Sequence, residues 1–182
     1  MIKKAFISGA SHGIGKAIAY QLASHGCHLA LNCKNSGETL TQLCIELENQ
    51  YGIRAIPLIG DIGDYPTVCD IFTQIKQQMG DLHLLINNAG ISQIGLLSEL
   101  EVRDWQQMID TNLSSVFYCC KMAIPGMVRR QAGKILNISS VWGEAGASCE
   151  AAYSAAKGGV NALTKALAKE LAPSGIQVNA IA

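Results

Sequence analysis

Lys4-Ala5-Phe6-Ile7-Ser8-Gly9-Ala10-Ser11-His12-Gly13-Ile14-Gly15 is a short apolar run, a serine, and then glycines spaced G-x-x-x-G-x-G, with a segment of helical period directly behind them. Glycine permits a tight turn and a close approach of backbone to a ligand, and the unpaired N–H groups at a helix start attract a pyrophosphate. A glycine-rich turn by itself is a weak signal. Its position between a strand and a helix gives it meaning.

Outward from that turn, short apolar runs alternate with longer segments of helical period to the end of the chain. This is the pattern of an α/β fold, a doubly wound parallel sheet with helices on both faces. Strands are predicted at Lys4 to Ser8, His28 to Asn32, Arg54 to Gly60, Leu82 to Asn87, Lys134 to Ser139 and Gln177 to Ile181. Each is expected to be buried on both sides, so runs such as Leu82-His83-Leu84-Leu85-Ile86 are continuously apolar rather than alternating. The first helix is read from Ile14 to Ser24 with a left-handed stop near Gly26. Asp64-Tyr65-Pro66 sets an N-cap residue ahead of a proline in a first turn. A fourth helix is read from Val102 to Arg130 with an interruption near Asn112, and a fifth from Ala151 to Leu171. The last strand runs into the end of the sequence, where such a fold places functional loop. Residues 1–182 are therefore read as a single domain, truncated after its sixth strand.

With 182 residues, 49% of them apolar, the chain can bury one real core. Fourteen Lys plus Arg balance fourteen Asp plus Glu, so no net field draws it to nucleic acid or to an anionic membrane. Its seven cysteines are an odd number without a C-x-x-C pair, which points to reduced, packed thiols in a cytoplasmic protein, Cys119-Cys120 included. Behind Met1-Ile2-Lys3-Lys4 the apolar stretch breaks at Ser8-Gly9, and neither a secretion signal nor a membrane span is expected. His25, His28 and His83 lack ligand spacing, and no metal site is expected.

Tyr153 and Lys157 form Y-x-x-x-K, a spacing that puts both on one helix face. A phenol with an ordinary pKa of about 10 is a poor proton shuttle at neutral pH, and a neighbouring ammonium favours its ionised form. Ser140 stands thirteen positions before Tyr153, just past the fifth strand; Asn112 lies in Asp110-Thr111-Asn112-Leu113.

The glycine spacing differs from the common G-x-G-x-x-G fingerprint and resembles that of the short-chain dehydrogenase/reductase family, with Ser8 where that family usually has threonine. The similarity extends over essentially the whole chain. Asn112, Ser140, Tyr153 and Lys157 resemble the family's Asn-Ser-Tyr-Lys tetrad, Asp61-Ile62 its adenine-contacting pair, and Asn87-Asn88-Ala89-Gly90 its NNAG motif. The resemblance implies a Rossmann fold whose cofactor lies against Gly9, Ser11, His12, Gly13, Ile14, Gly15, Asn88, Ala89 and Gly90. It further implies that Tyr153 protonates a carbonyl oxygen and that Ser140 orients it. Lys157 would bind the nicotinamide ribose, and Asn112 would hold a water that refills the proton through Lys157. Ser139 is the competing serine, but the interval to tyrosine favours Ser140.

An acidic residue at the end of the second strand would bind the adenosine ribose and repel a 2′-phosphate. Here Cys33 takes that position and Lys34 follows, so NADP (as NADPH) is expected in preference to NAD. His12 stands where NADP-using relatives often carry arginine. The overall pattern resembles that of bacterial 3-oxoacyl-[acyl-carrier-protein] reductases of fatty acid biosynthesis, a resemblance that implies a 3-oxoacyl thioester and an acidic acyl carrier protein. Arg129-Arg130 are candidates for docking that partner, whereas Gln131 and Ser174 replace arginines that such reductases often carry. A second reading comes from Trp142-Gly143-Glu144-Ala145-Gly146-Ala147-Ser148-Cys149-Glu150. It is similar to the loop of reductases that act on 5-aminopentanone-modified elongation factor P, with Glu144 or Glu150 set to meet the amine. A third is a non-catalytic NADP-binding sensor or partner module, against which the intact tetrad argues. The resemblance also implies a homotetramer for the full-length protein, since family members commonly assemble through helices four and five and a further strand.

Overall fold

The glycine turn joins β1 (Lys4–Ile7) to α1 (Gly13–Ser24) in the computed structural model, which describes residues 3–182; Met1 and Ile2 of the charged start lie outside the described residues. There follow β2 (His28–Cys33), α2 (Gly37–Tyr51), β3 (Ala55–Ile59), α3 (Tyr65–Met79), β4 (Leu84–Asn87), α4 (Val102–Ile109) and α5 (Ser115–Arg130). The described chain then continues through β5 (Gly133–Ile138), the short α6 (Trp142–Ala145), α7 (Ala151–Leu171) and β6 (Ile176–Ile181). The strands are parallel in the order β3-β2-β1-β4-β5-β6. The order reverses between β1 and β4, and in a doubly wound sheet such a reversal opens a crevice at the strands' carboxyl ends.

The expected strands fall within a residue or two of the observed ones, and the helix punctuation acts as read. Gly26 adopts φ +73° behind α1. Asp64 accepts from the Thr67 N–H at 3.0 Å, with Pro66 in the first turn of α3. The interruption near Asn112 is a π-helical turn over Asp110–Ser114, between α4 and α5. Pro57 has no N–H to give, and it sits in β3, an outer strand, where only one flank needs pairing.

Two cores flank the sheet. One packs Phe6, Leu58, Leu85 and Ile135 against α3, α5 and α7; the other packs Ile7, Leu29, Leu31 and Ile86 against α1 and α2. Each fully buried Leu or Ile contributes roughly 1.5–3 kcal/mol. The expectation that every strand is buried on both faces fails at β5 and β6. Lys134, Gln177, Asn179 and Ile181 share one face and are all exposed, because among the described residues that half of the sheet is reached only by the edge of the second core, at the partly buried Leu136 and Ile138.

Candidate active site

A cleft of about 610 Å³ lies at the carboxyl ends of β1, β2, β3 and β4. Its walls include Gly9, Ser11, His12, Gly13 and Ile14 from the glycine turn, Cys33 and Lys34, Asp61 and Ile62, and Asn88, Ala89 and Gly90. Gly9 and Gly13 are left-handed, at φ +64° and +55°. Gly15 lies beneath the turn instead of on the wall: a Cβ there would stand 2.3 Å from Gly9 O and 2.6 Å from Asn88 Nδ2. At Gly9 a Cβ would meet Ala89 Cα at 2.8 Å, so the turn needs glycine for contact as well as for conformation.

Side-chain bonds stitch this turn to the end of β4. The buried Ser8 hydroxyl accepts from the backbone N–H groups of Asn88 and Ala89 at 3.0 and 3.1 Å. The Asn88 amide donates to Ser8 O and Gly9 O, both at 2.9 Å. Serine supplies the bonding a threonine would supply, without the extra methyl group. His12 is the extended residue before α1 and makes no capping bond with its side chain, so the first N–H groups of the helix face the cleft uncapped by it.

At the other end of the cleft, Cys33 is buried, and burial pushes its thiol pKa up. Lys34 Nζ meets Asp61 Oδ2 at 2.6 Å. The juxtaposition follows from register: Cys33 pairs with Ile59, the Gly60 N–H donates to Cys33 O at 2.9 Å, and the Asn32 amide donates to Leu58 O and Gly60 O.

Lys157 is only 4% exposed. Its Nζ donates to Ile138 O at 2.7 Å and lies 5.6 Å from the centroid of the Tyr153 ring. Burial lowers its pKa from 10.5 to about 8. A Cβ on Gly90 would stand 2.7 Å from Asn112 Oδ1 and 3.7 Å from Lys157 Nζ, so the glycine on the cleft wall is what lets these side chains reach its edge. Asn112 is fully buried and spends its amide on structure. Nδ2 donates to Ile91 O and Met108 O, and Oδ1 accepts from the Ile91 N–H. Ser139 turns inward, donating to Asn161 Oδ1 at 2.6 Å, whereas the half-buried Ser140 uses its oxygen only to accept from the Trp142 N–H at 3.2 Å. Ser140 thus keeps its proton to donate.

Other readings change. Arg129 pairs with Asp81, and Arg130 donates to Leu82 O and Ala132 O; both sit at the amino ends of β4 and β5, because α5 runs antiparallel to the strands. Gln131 and Ser174 belong to the same end, so none of these positions forms a docking surface at the cleft mouth. Five cysteines are buried, but Cys69 and Cys149 are half-exposed, which corrects the expectation of uniform packing. Among the described residues, no three His, Cys, Asp or Glu side chains converge as metal ligands, and no helix is long and apolar enough to cross a membrane.

One buried polar chain escaped the sequence reading. Asn87 donates to Asn137, which donates to Thr164, which in turn donates to Val160 O, at 2.8, 2.8 and 2.7 Å. Its signal was asparagine inside apolar strand runs. The chain ties β4 and β5 to the helix that carries Tyr153 and Lys157.

The comparisons agree with this geometry. A family model described as short chain dehydrogenase matches residues 3–182. The 3-oxoacyl-[acyl-carrier-protein] reductase FabG of Staphylococcus aureus (strain Mu50 / ATCC 700699) is 41% identical over 182 residues, all of this chain and 74% of that protein. The uncharacterized oxidoreductase YmfI of Bacillus subtilis (strain 168) is 38% identical over the same 182 residues, again 74% of its length. A crystal structure from Sinorhizobium meliloti 1021, assigned to the short-chain alcohol dehydrogenases, superposes with a TM-score of 0.93 at 33% identity, over 99% of this chain and 71% of that one. A switch-point cleft floored by G-x-x-x-G-x-G, together with these matches, shows that the chain belongs to the short-chain dehydrogenase/reductase family, oxidoreductases that bind NAD(P) and act on carbonyl and hydroxyl groups.

Proposed function

We propose that the chain reduces a carbonyl to a hydroxyl with NADPH, using Asn112, Ser140, Tyr153 and Lys157. The observation that carries this reading is a buried Lys157 ammonium placed between the Tyr153 ring and the cleft wall at Gly90. The cleft fits a dinucleotide: side chains at Gly9 and Gly15 would fill the cradle, and uncapped N–H groups of α1 face it. When bound, the reduced nicotinamide supplies the hydride.

Tyr153 gives its proton to the substrate oxygen as negative charge builds there, and Ser140 donates a hydrogen bond to the same oxygen. Lys157, already anchored on Ile138 O, uses its remaining N–H groups to hold a ribose hydroxyl and to return a proton toward Tyr153. The Asn112 side chain braces Ile91 against α4, so its backbone carbonyl, in the π-helical turn, is the group left to hold a relay water. Lys34 meets the 2′-phosphate, and the absence of an acid at Cys33 removes the usual repulsion.

The substrate class we infer is a 3-oxoacyl thioester, supported by the 41% identity to the Staphylococcus aureus reductase over the whole chain. One observation favours a second reading. The arginines suited to an acidic carrier lie at the far end of the sheet, while Glu144 and Glu150, in the segment between Ser140 and Tyr153, form no ion pair among the described residues. Unpaired carboxylates there suit an amine-bearing carbonyl such as the 5-aminopentanone group on elongation factor P. NADPH consumption measured with 3-oxoacyl carrier protein, 3-oxoacyl coenzyme A and modified elongation factor P separates them. Turnover of either thioester supports the first reading, turnover of the modified factor alone supports the second, and reduction of none refutes both.

A further inference from the structure

Among the residues that line the cleft there is one lysine or arginine, Lys34, and one carboxylate, Asp61, and the structure pairs them with each other. The two partners are not equivalent. Asp61 is fixed, because its second oxygen, Oδ1, accepts from the Gly63 N–H at 2.8 Å and holds the carboxylate in a local turn. Lys34 reaches it on a flexible four-carbon stem. Side-chain exposures of 49% and 35% leave the pair open to exchange with a solvated anion.

We propose that Asp61 is a built-in competitor for the 2′-phosphate, holding Lys34 in the free protein and thereby setting how far the cleft discriminates NADPH from NADH. This rests on the reading that Lys34 meets that phosphate. NADPH must break the ion pair to recruit the ammonium, and its phosphate then lies beside a carboxylate left unpaired. NADH brings no phosphate, leaves the pair intact and meets neither cost. Asp61 is therefore a specificity-determining residue that acts through Lys34. It lowers the advantage of NADPH over NADH, since any contact it makes with the adenine is common to both.

The test is a titration of NADPH and NADH, followed by nicotinamide fluorescence, against the parent chain, Asp61→Asn, Lys34→Met and the double variant. Asparagine keeps the size of the side chain and an acceptor for the Gly63 N–H while removing the charge. We expect Asp61→Asn to raise the NADPH-to-NADH affinity ratio by about two- to fivefold, the worth of one exposed ion pair, any change in the shared adenine contact cancelling in the ratio. Lys34→Met should lower that ratio, and in the double variant the gain from asparagine should shrink to the part that comes from removing the carboxylate's repulsion of the phosphate. Adenosine 2′,5′-bisphosphate and AMP, followed by NMR, repeat the comparison without the nicotinamide end. If Lys34→Met lowers the NADPH-to-NADH ratio but Asp61→Asn does not raise it, the competition is overturned and the phosphate reading survives. If Lys34→Met leaves NADPH binding unchanged, the phosphate reading itself falls and the proposal with it.

Discussion

The Lys157 ammonium is held where charge is costly, and replacing it by methionine should expose that cost as stability. Burial lowers its pKa from 10.5 to about 8, a difference that corresponds to about 3 kcal/mol of destabilisation when the group is charged. Methionine fills a similar volume without charge but forfeits the hydrogen bond to Ile138 O, at a cost of about 1–2 kcal/mol. Near pH 7 the free variant should therefore be more stable than the parent by about 1–2 kcal/mol, although it has lost carbonyl reduction. The sign with pH follows from the lowered value. Between about pH 8 and 10.5 the unfolded chain keeps a proton that the folded chain has released, so the parent gains stability as pH rises through that window. Below it both states are charged and the full cost remains. Urea unfolding of both proteins at several pH values from 6.5 to 10.5 would show the variant's advantage shrinking and then reversing. Parallel stability curves across that range would refute the burial argument, as would a variant less stable than the parent at pH 7.

Tyr153→Phe should lower kcat by about 10²–10⁴-fold while NADPH still binds, read by steady-state kinetics beside a titration. Ser140→Ala should act on turnover and Ser139→Ala on stability, because the Ser139 proton is already bonded to Asn161 Oδ1; the reverse result would exchange the two serines. Gly15→Ala puts a Cβ 2.3 Å from Gly9 O and should cost about 1–3 kcal/mol in thermal unfolding along with NADPH binding. Asn137→Ala should cost about 1–3 kcal/mol, since Asn87 Nδ2 would keep only the Cys120 sulfur as partner.

Most of the fold was legible in the sequence because the fold's rules are local. Apolar runs of strand length mark β1 to β6, a glycine behind α1 and an Asp-x-Pro start at α3 mark helix ends, and these signals need no knowledge of neighbours. The uncovered face of β5 and β6 was not legible. Lys134, Gln177 and Asn179 are polar at alternate positions, a period-two signal outweighed by the apolar runs around them. Whether a strand is covered on both faces depends on which helices the rest of the chain delivers, and that is a property of the whole fold.

The site divides in the same way. Residues whose chemistry is tied to spacing, the glycines and the Tyr153–Lys157 pair, were readable because a turn and an i, i+4 helix face fix their geometry. What spacing could not show is how each polar atom is spent. The sequence reading of Asn112 as holding a water named no atom, and packing commits its amide to Ile91 and Met108; Lys34 was read as able to pair with a phosphate, and packing holds it on Asp61. Both outcomes depend on contacts made by tertiary packing. The same accounting argues that the asparagines matter as much to the site as the reactive groups. On a buried face of the sheet a side-chain amide is costly unless paired, and the pairs made by Asn32, Asn88 and Asn137 join the β2–β3 edge, the glycine turn and α7 to the central strands. Those bonds fix the glycine turn against the end of β4 and α7 against β5, and with them the elements that carry the reactive side chains.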